Sequence, residues 1–237
     1  SLMVAASAAA DAVERAKRLP NLAVGLHLVL ADGKAALPPS RIPDLVDASG
    51  RFGSNMARDG VRFFFLPRVR RQLADEIRAQ YEAFASTGLA LDHVNAHKHF
   101  HLHPTIFALV LSIGREFGLR AMRLPAEPGM GPWLRPWLAL MRRRMDRAGI
   151  AYNDHVFGLR ASGAMDEAAV LRILRDLPGG LSEMYLHPAT RGHLTDAMAG
   201  YRHTDELAAL LSPRVRRLVD ERCVLCRGFT DPAAAAA

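Results

Sequence analysis

Residues 22–30 read Leu-Ala-Val-Gly-Leu-His-Leu-Val-Leu, a nearly continuous apolar run whose single polar intrusion is His27. Such a short run is how a strand buried on both faces reads, and those strands belong to parallel sheets covered by helices. The rest of the chain alternates in the same way. A helix is expected over 67–86, where Val69, Leu73, Ile77, Tyr81 and Phe84 recur at helical spacing against a charged face. Further helices are expected over 5–18, 106–117, 133–148, 164–177, 204–211 and 215–221, and further strands over 119–124, 155–159, 179–187 and 223–229. No Asn-Gly hairpin signal separates the strands, so crossover helices must join them. Residues 31–66 carry Asp32-Gly33, Pro38-Pro39, Pro43, Gly50 and Gly53, and read as one long loop with at most short turns, the length of a lid or binding loop.

This pattern specifies an α/β fold. A closed or partly closed (β/α) barrel suits 237 residues, half of them hydrophobic, better than a dinucleotide-binding sheet. No G-x-G-x-x-G follows an early strand, and there is no Walker loop. One domain is expected over 1–230, with an Ala-rich, disordered tail at 231–237. No run of about eighteen apolar residues predicts a membrane-spanning helix. In a barrel the active site lies at the carboxyl ends of the strands. His27, His97 and His187 fall at or near such ends, so three strands are expected to deliver one histidine each to a common mouth.

The histidines are densest between 92 and 104, where five of the chain's ten lie, four of them at alternate positions 97, 99, 101 and 103. Read as a strand, this segment lines one wall with imidazoles and packs Phe100 and Leu102 on the other. Imidazole is the commonest metal ligand and, neutral or charged, a proton-transfer group. A metal or proton-transfer site is therefore expected here. His27, a lone histidine in an apolar strand, joins it only if the fold brings the two together. A third ligand, ordinarily a carboxylate, is not evident: Asp92, Asp154 and Glu183 all precede the carboxyl ends of their strands.

Two cysteines, Cys223 and Cys226, argue for a reducing compartment, hence a cytoplasmic location, and their spacing reads as a terminal strand rather than a zinc site. The net charge of +7 is carried almost wholly by arginine and suits anionic partners. The arginines are scattered over many helices without a recognised binding motif, which argues against nucleic acid.

Gly25-Leu26-His27-Leu28, the His97-x-His99-x-His101 run ending in Pro104, and Leu186-His187-Pro188 resemble the YdjC-like carbohydrate deacetylases. The stretches 22–33 and 123–128 are most similar to the branch associated with hopanoid biosynthesis. The resemblance covers residues 1–230. It implies a distorted (β/α) TIM-like barrel that removes N-acetyl groups from amino sugars with one divalent ion, zinc or magnesium, held by an aspartate and two histidines. The histidine positions match His27 and His97. The aspartate belongs to an Asp-Asp-Phe-Gly motif on the family's first strand, which this chain lacks. Its opening Ser1-Leu2-Met3-Val4 resembles the second strand, so the first strand and helix are expected to be missing and the chain to be inactive. By the same resemblance His187 is a candidate general acid or oxyanion contact, and His99, His101 and Arg123 are candidate substrate-binding or supporting groups. The implied partners are an N-acetylated amino sugar or a glycolipid, with a homodimer left open.

The segment 130–144 sets Trp133 and Trp137 beside Arg142, Arg143 and Arg144, as in helices that lie on anionic membranes, and equally as in an ordinary amphipathic barrel helix. Three other readings compete: another barrel metallohydrolase (a phosphoesterase or amidohydrolase), a basic nucleic-acid-binding domain, and a histidine-rich metal store. Histidines spread over three strands favour a site over a store.

Overall fold

The computed structural model describes residues 1–195 and 198–231. The expected tail therefore lies outside the described residues apart from Asp231. The chain divides into two compact units. The first comprises Ser1–Arg123, Met145–Ala151 and Arg227–Thr230, and the second Leu124–Arg144 and Tyr152–Cys226.

In the first unit, helix α1 (Ala9–Lys17) leads to strand β1 (Val24–Leu28). Helices α2 (Met56–Phe65) and α3 (Pro67–Ala85) follow, then strand β2 (Leu91–Ala96) and helix α4 (Pro104–Glu116). β1 and β2 pair in parallel with His27 opposite Asn95 and Leu28 opposite Ala96. Single parallel bridges extend the arrangement on both sides: Leu2 to Leu26, Val94 to Met122, and Ala121 to Ala151. Leu26, Leu28 and Val94 are fully buried. On α3 the expected apolar stripe of Val69, Leu73, Ile77, Tyr81 and Phe84 is buried, with Tyr81 stacked on Phe117 at 5.2 Å between ring centroids.

A second stripe on α3, invisible to hydropathy, is polar and buried. Gln72, Glu76 and Gln80 stand four residues apart on one helix face. Gln80 closes both backbone groups of Val29, accepting from its N–H (2.9 Å) and donating to its carbonyl (2.8 Å). Glu76 accepts from Ala36 N (2.8 Å) and Leu37 N (2.9 Å), and Gln72 from Asp44 N (2.9 Å). These side chains give the loop after β1 the hydrogen bonds that a sheet would otherwise supply. Burial raises the Glu76 carboxyl pKa, while the backbone donors and Gln80 oppose the shift.

The second unit pairs β3 (His155–Phe157) in parallel with β4 (Ser182–Met184) and carries helices α6 (Glu167–Arg175), α7 (His203–Leu211) and α8 (Pro213–Arg222). Helix α5 (Arg135–Ala148) begins in this unit. Its core joins Met165, Val170, Leu174, Ala209 and Val215.

Several expectations are corrected. Among the described residues the strands form two short parallel sheets and no closed barrel. The loop over 31–66 contains α2, whose start is fixed by Asn55 accepting from Arg58 N at 3.0 Å. Residues 223–229 form no strand. The histidine segment is not a strand either: β2 stops at Ala96, and His97–Leu102 is a 3₁₀ segment in which Lys98 (φ 52°) and His99 (φ 54°) adopt left-handed backbone. Two successive left-handed residues end the pleat, so the alternation of imidazoles there is not an alternation of faces.

Glu76→Ala removes one acceptor from two loop N–H groups and from Gln80. It is expected to lower stability by ~3 kcal/mol, read from urea unfolding, with Leu73→Val as a purely apolar control.

Candidate active site

The parallel register of β1 and β2 places His27 beside Asn95. The fully buried Asn95 accepts the His27 Nδ1 proton through Oδ1 at 2.5 Å and donates through Nδ2 to Ser1 Oγ at 3.1 Å. With its proton held on Nδ1, His27 carries its lone pair on Nε2. Burial pushes the His27 pKa down to about 3, and the neighbouring His97 and Arg123 add to the shift while the Asn95 bond opposes it. His97, the first residue past β2, meets His27 edge-on with ring centroids 5.7 Å apart. Its pKa is also lowered, first by burial and then by Lys98, with Asp32 opposing. At neutral pH the pair presents two uncharged imidazoles at the carboxyl ends of adjacent parallel strands.

The turn that aims His97 is held from the other strand. Lys98 forms an ion pair with Asp32, which follows β1 and is itself left-handed (φ 53°). Arg51 donates to the Asp32 carbonyl at 3.0 Å. Three non-glycine residues with positive φ thus gather at the ends of two neighbouring strands, the kind of strained backbone that concentrates at functional sites.

The remaining histidines of the segment are placed differently. His101 is fully buried, and its Nε2 donates to the Arg123 carbonyl at 3.1 Å. Its pKa lies well below the usual range, through burial first and then the nearby His99 and Arg123. Arg123 is itself buried. His99 is half-buried, its ring 6.2 Å from that of His101.

His187 belongs to the second unit, in the stretch after β4. Its N–H donates to the Glu206 carboxylate, and its carbonyl accepts from His203 Nδ1 at 2.6 Å. Its ring stands edge-on to Tyr185 (4.5 Å) and Tyr201 (5.1 Å). Glu206 and His203 are both fully buried, and Glu206 also accepts from Met165 N at 3.2 Å. Glu127 accepts from the backbone N–H groups of Gly158 (2.9 Å) and Arg160 (2.8 Å).

The donor chemistry of His27 and His97 fits a divalent ion: neutral imidazoles, one with its tautomer fixed by a buried amide. The set stops at two, since no group of three ligand-type side chains occurs among the described residues. Sequence reading missed Asn95, Ser1, Asp32, Lys98, His203 and Glu206. Asn95, two residues before His97, carried the one usable signal, a polar amide in a strand expected to be buried.

A family model described as YdjC-like protein matches residues 1–221. A carbohydrate deacetylase of Brevibacillus brevis is 28% identical, covering 98% of this chain and 86% of the relative. A chitooligosaccharide deacetylase of Yersinia pseudotuberculosis (serotype O:1b) is 34% identical, covering 93% and 82%. A crystal structure from Enterococcus faecalis V583, described as a candidate cellobiose-phosphate cleavage protein, shares the fold with a TM-score of 0.71 at 23% identity, covering 94% and 83%.

Because native His27 stays neutral to about pH 3 while unfolded His27 protonates near 6.5, the unfolded state binds the extra proton between these values. The stability this contributes is present above pH 6.5 and lost as pH falls toward 3. His27→Gln is expected to flatten the stability–pH slope in that window, measured as the denaturant midpoint against pH.

Proposed function

The chain belongs to the YdjC-like protein family, and we propose on that premise that it is a carbohydrate N-deacetylase, hydrolysing the acetamide of an N-acetylated amino sugar to acetate and a free amine. The observation that carries this reading is the neutral His27–His97 pair at adjacent strand ends, with Asn95 fixing the His27 tautomer. The relatives named as carbohydrate and chitooligosaccharide deacetylases support the reaction class.

In this reading His27 and His97 hold one divalent ion, zinc or magnesium, which would polarise the acetyl carbonyl and acidify bound water. We assign the third ligand to an aspartate that the described residues do not supply. Asn95 keeps the His27 proton on Nδ1 so that Nε2 remains a donor. His187 is assigned the proton for the leaving amine nitrogen. His99 and Arg123 are assigned to the polar groups of the sugar. His101, with no exposed surface, backs the Arg123 carbonyl and orders that wall.

The proposed substrate is the sugar of a glycosylated hopanoid or similar lipid, supported by the resemblance of residues 22–33 and 123–128 to that branch. No helix among the described residues is long and apolar enough to cross a membrane. Peripheral contact with an anionic inner membrane from the cytoplasmic side is consistent with α5 and the turn before it, where Trp133 is 79% exposed and, further along α5, Arg143 and Arg144 are exposed. The free thiols of Cys223 and Cys226 suit a reducing compartment.

The test measures zinc binding by calorimetry and acetate release from chitooligosaccharide and from an N-acetylated glycolipid, with and without chelator. His27→Ala and His97→Ala are each expected to abolish zinc binding and to lower any release by more than the ~10- to 100-fold that loss of a supporting residue costs. Zinc binding and acetate release that survive both substitutions would overturn the assignment.

A further inference from the structure

Helix α2 is apolar on two sides. Gly60 and Phe63 face the interior, and Phe63 packs on Phe100 at 5.6 Å between centroids. The opposite side carries Val61, Phe64 and Phe65, at i, i+3 and i+4, and continues into Leu66 at the corner where α3 begins. These four are exposed, Val61 by 59% and Phe65 by 69%. The inner apolar side of α2 is packed, whereas the outer one, carrying Val61, Phe64 and Phe65, faces water as a contiguous apolar patch.

The corner is also preformed. Arg70 donates through Nε to the Phe63 carbonyl (3.3 Å) and through its terminal nitrogen to the Phe64 carbonyl, closing the last turn of α2. Phe64 and Phe65 stand edge-on at 5.0 Å. Between 58 and 71 the sequence holds five arginines and one aspartate. Asp59 engages Arg58 and Arg62, Asp44 engages Arg68, and Arg71 is exposed with no ion pair among the described residues.

We propose that the α2–α3 corner is a membrane anchor that docks on an anionic bilayer, with Val61, Phe64, Phe65 and Leu66 entering the headgroup–acyl boundary and the surrounding arginines meeting lipid phosphates. The charge selects this occupant. A second copy docking by two-fold symmetry would set arginines against arginines around the apolar tip, whereas anionic headgroups complement them. Aliphatic Val61 and Leu66, and rings set edge-on rather than coplanar, suit insertion better than stacking on a sugar. Phe64 also meets His103 at 6.4 Å between centroids, and His103 caps the C-terminal end of the segment that His97 opens. The anchor therefore adjoins the histidine segment within one unit. The contact is independent of the reaction proposed above and of any contact made by α5.

The test is flotation of the 237-residue chain with vesicles of phosphatidylcholine alone or mixed with phosphatidylglycerol. Binding is expected only to the mixed vesicles and is expected to weaken as salt rises. Val61→Ser combined with Phe65→Ser, both on exposed positions, is expected to weaken it by at least ~10-fold at unchanged melting temperature. Arg71→Gln is expected to weaken it by about five-fold. Trp133→Ser, at the separate α5 contact, is expected to weaken it less than the double variant does. Equal binding by the double variant, loss of binding in Trp133→Ser alone, or a concentration-dependent dimer that the double variant abolishes in a chain that ignores vesicles would each overturn the proposal. Because no turnover is measured, a negative result leaves the deacetylase reading intact.

Discussion

The pairing of β1 with β2 decides what the rest of the first unit can do. Parallel strands in this register set His27 opposite Asn95, and the side chain of Asn95 is the polar partner that an imidazole in an apolar strand requires. A shift by one residue would send the amide to the other face and leave the His27 ring buried without an acceptor for its proton. The same register brings the ends of the two strands level, so that His97 emerges next to His27 and Lys98 can reach Asp32. Burial, tautomer and proximity all follow from one alignment of backbones.

That alignment needs support where β1 ends, because the chain leaves the sheet with unpaired backbone groups. The buried polar stripe of α3 supplies it. Gln80, Glu76 and Gln72 bind Val29, Ala36 with Leu37, and Asp44 in turn, so the loop descends along the helix one turn per contact. The cost is a buried carboxylate with a raised pKa. The gain is a long connection anchored by side chains at Val29, Ala36, Leu37 and Asp44, which carries Asp32 at the strand ends.

The apolar half of this arrangement was legible in the sequence and the polar half was not. The run at 22–30 contains β1, and the stripe of Val69, Leu73, Ile77, Tyr81 and Phe84 gives α3 and its buried face correctly, because burial of aliphatic and aromatic side chains leaves a period in the sequence. Gln72, Glu76 and Gln80 have the same period but look like a solvated face, since hydropathy does not register a side chain buried through hydrogen bonds. The segment at 97–103 misled for a related reason. Alternation predicts a strand only while the backbone stays extended, and the left-handed residues Lys98 and His99 have no composition signal of the kind glycine gives. His27 and His97 were brought together in the sequence by their places at strand ends, and the family resemblance then matched both to metal-ligand positions. Their partner Asn95 depended on register, which a single sequence does not encode in any local pattern.

The second unit meets the same difficulty at His187 by other means. β4 ends at Met184, so His187 lies beyond the β3–β4 pairing. Helix α7 replaces the strand with two side chains from its first turn: Glu206 takes the His187 N–H, and His203 donates to its carbonyl. An anionic side chain in a first helical turn is favoured by the helix dipole, and Glu206 gains a further donor from Met165. The loop entering α7 is itself tightly seated. Tyr201 packs where a Cβ on Gly163 would approach to 2.5 Å, and Gly163, at φ 82°, uses backbone open to glycine while its carbonyl accepts from Arg202 N at 2.7 Å. The backbone position of His187 is therefore set by a helix and not by a sheet. Any change that rotates α7 moves that histidine before it disturbs a single strand pairing.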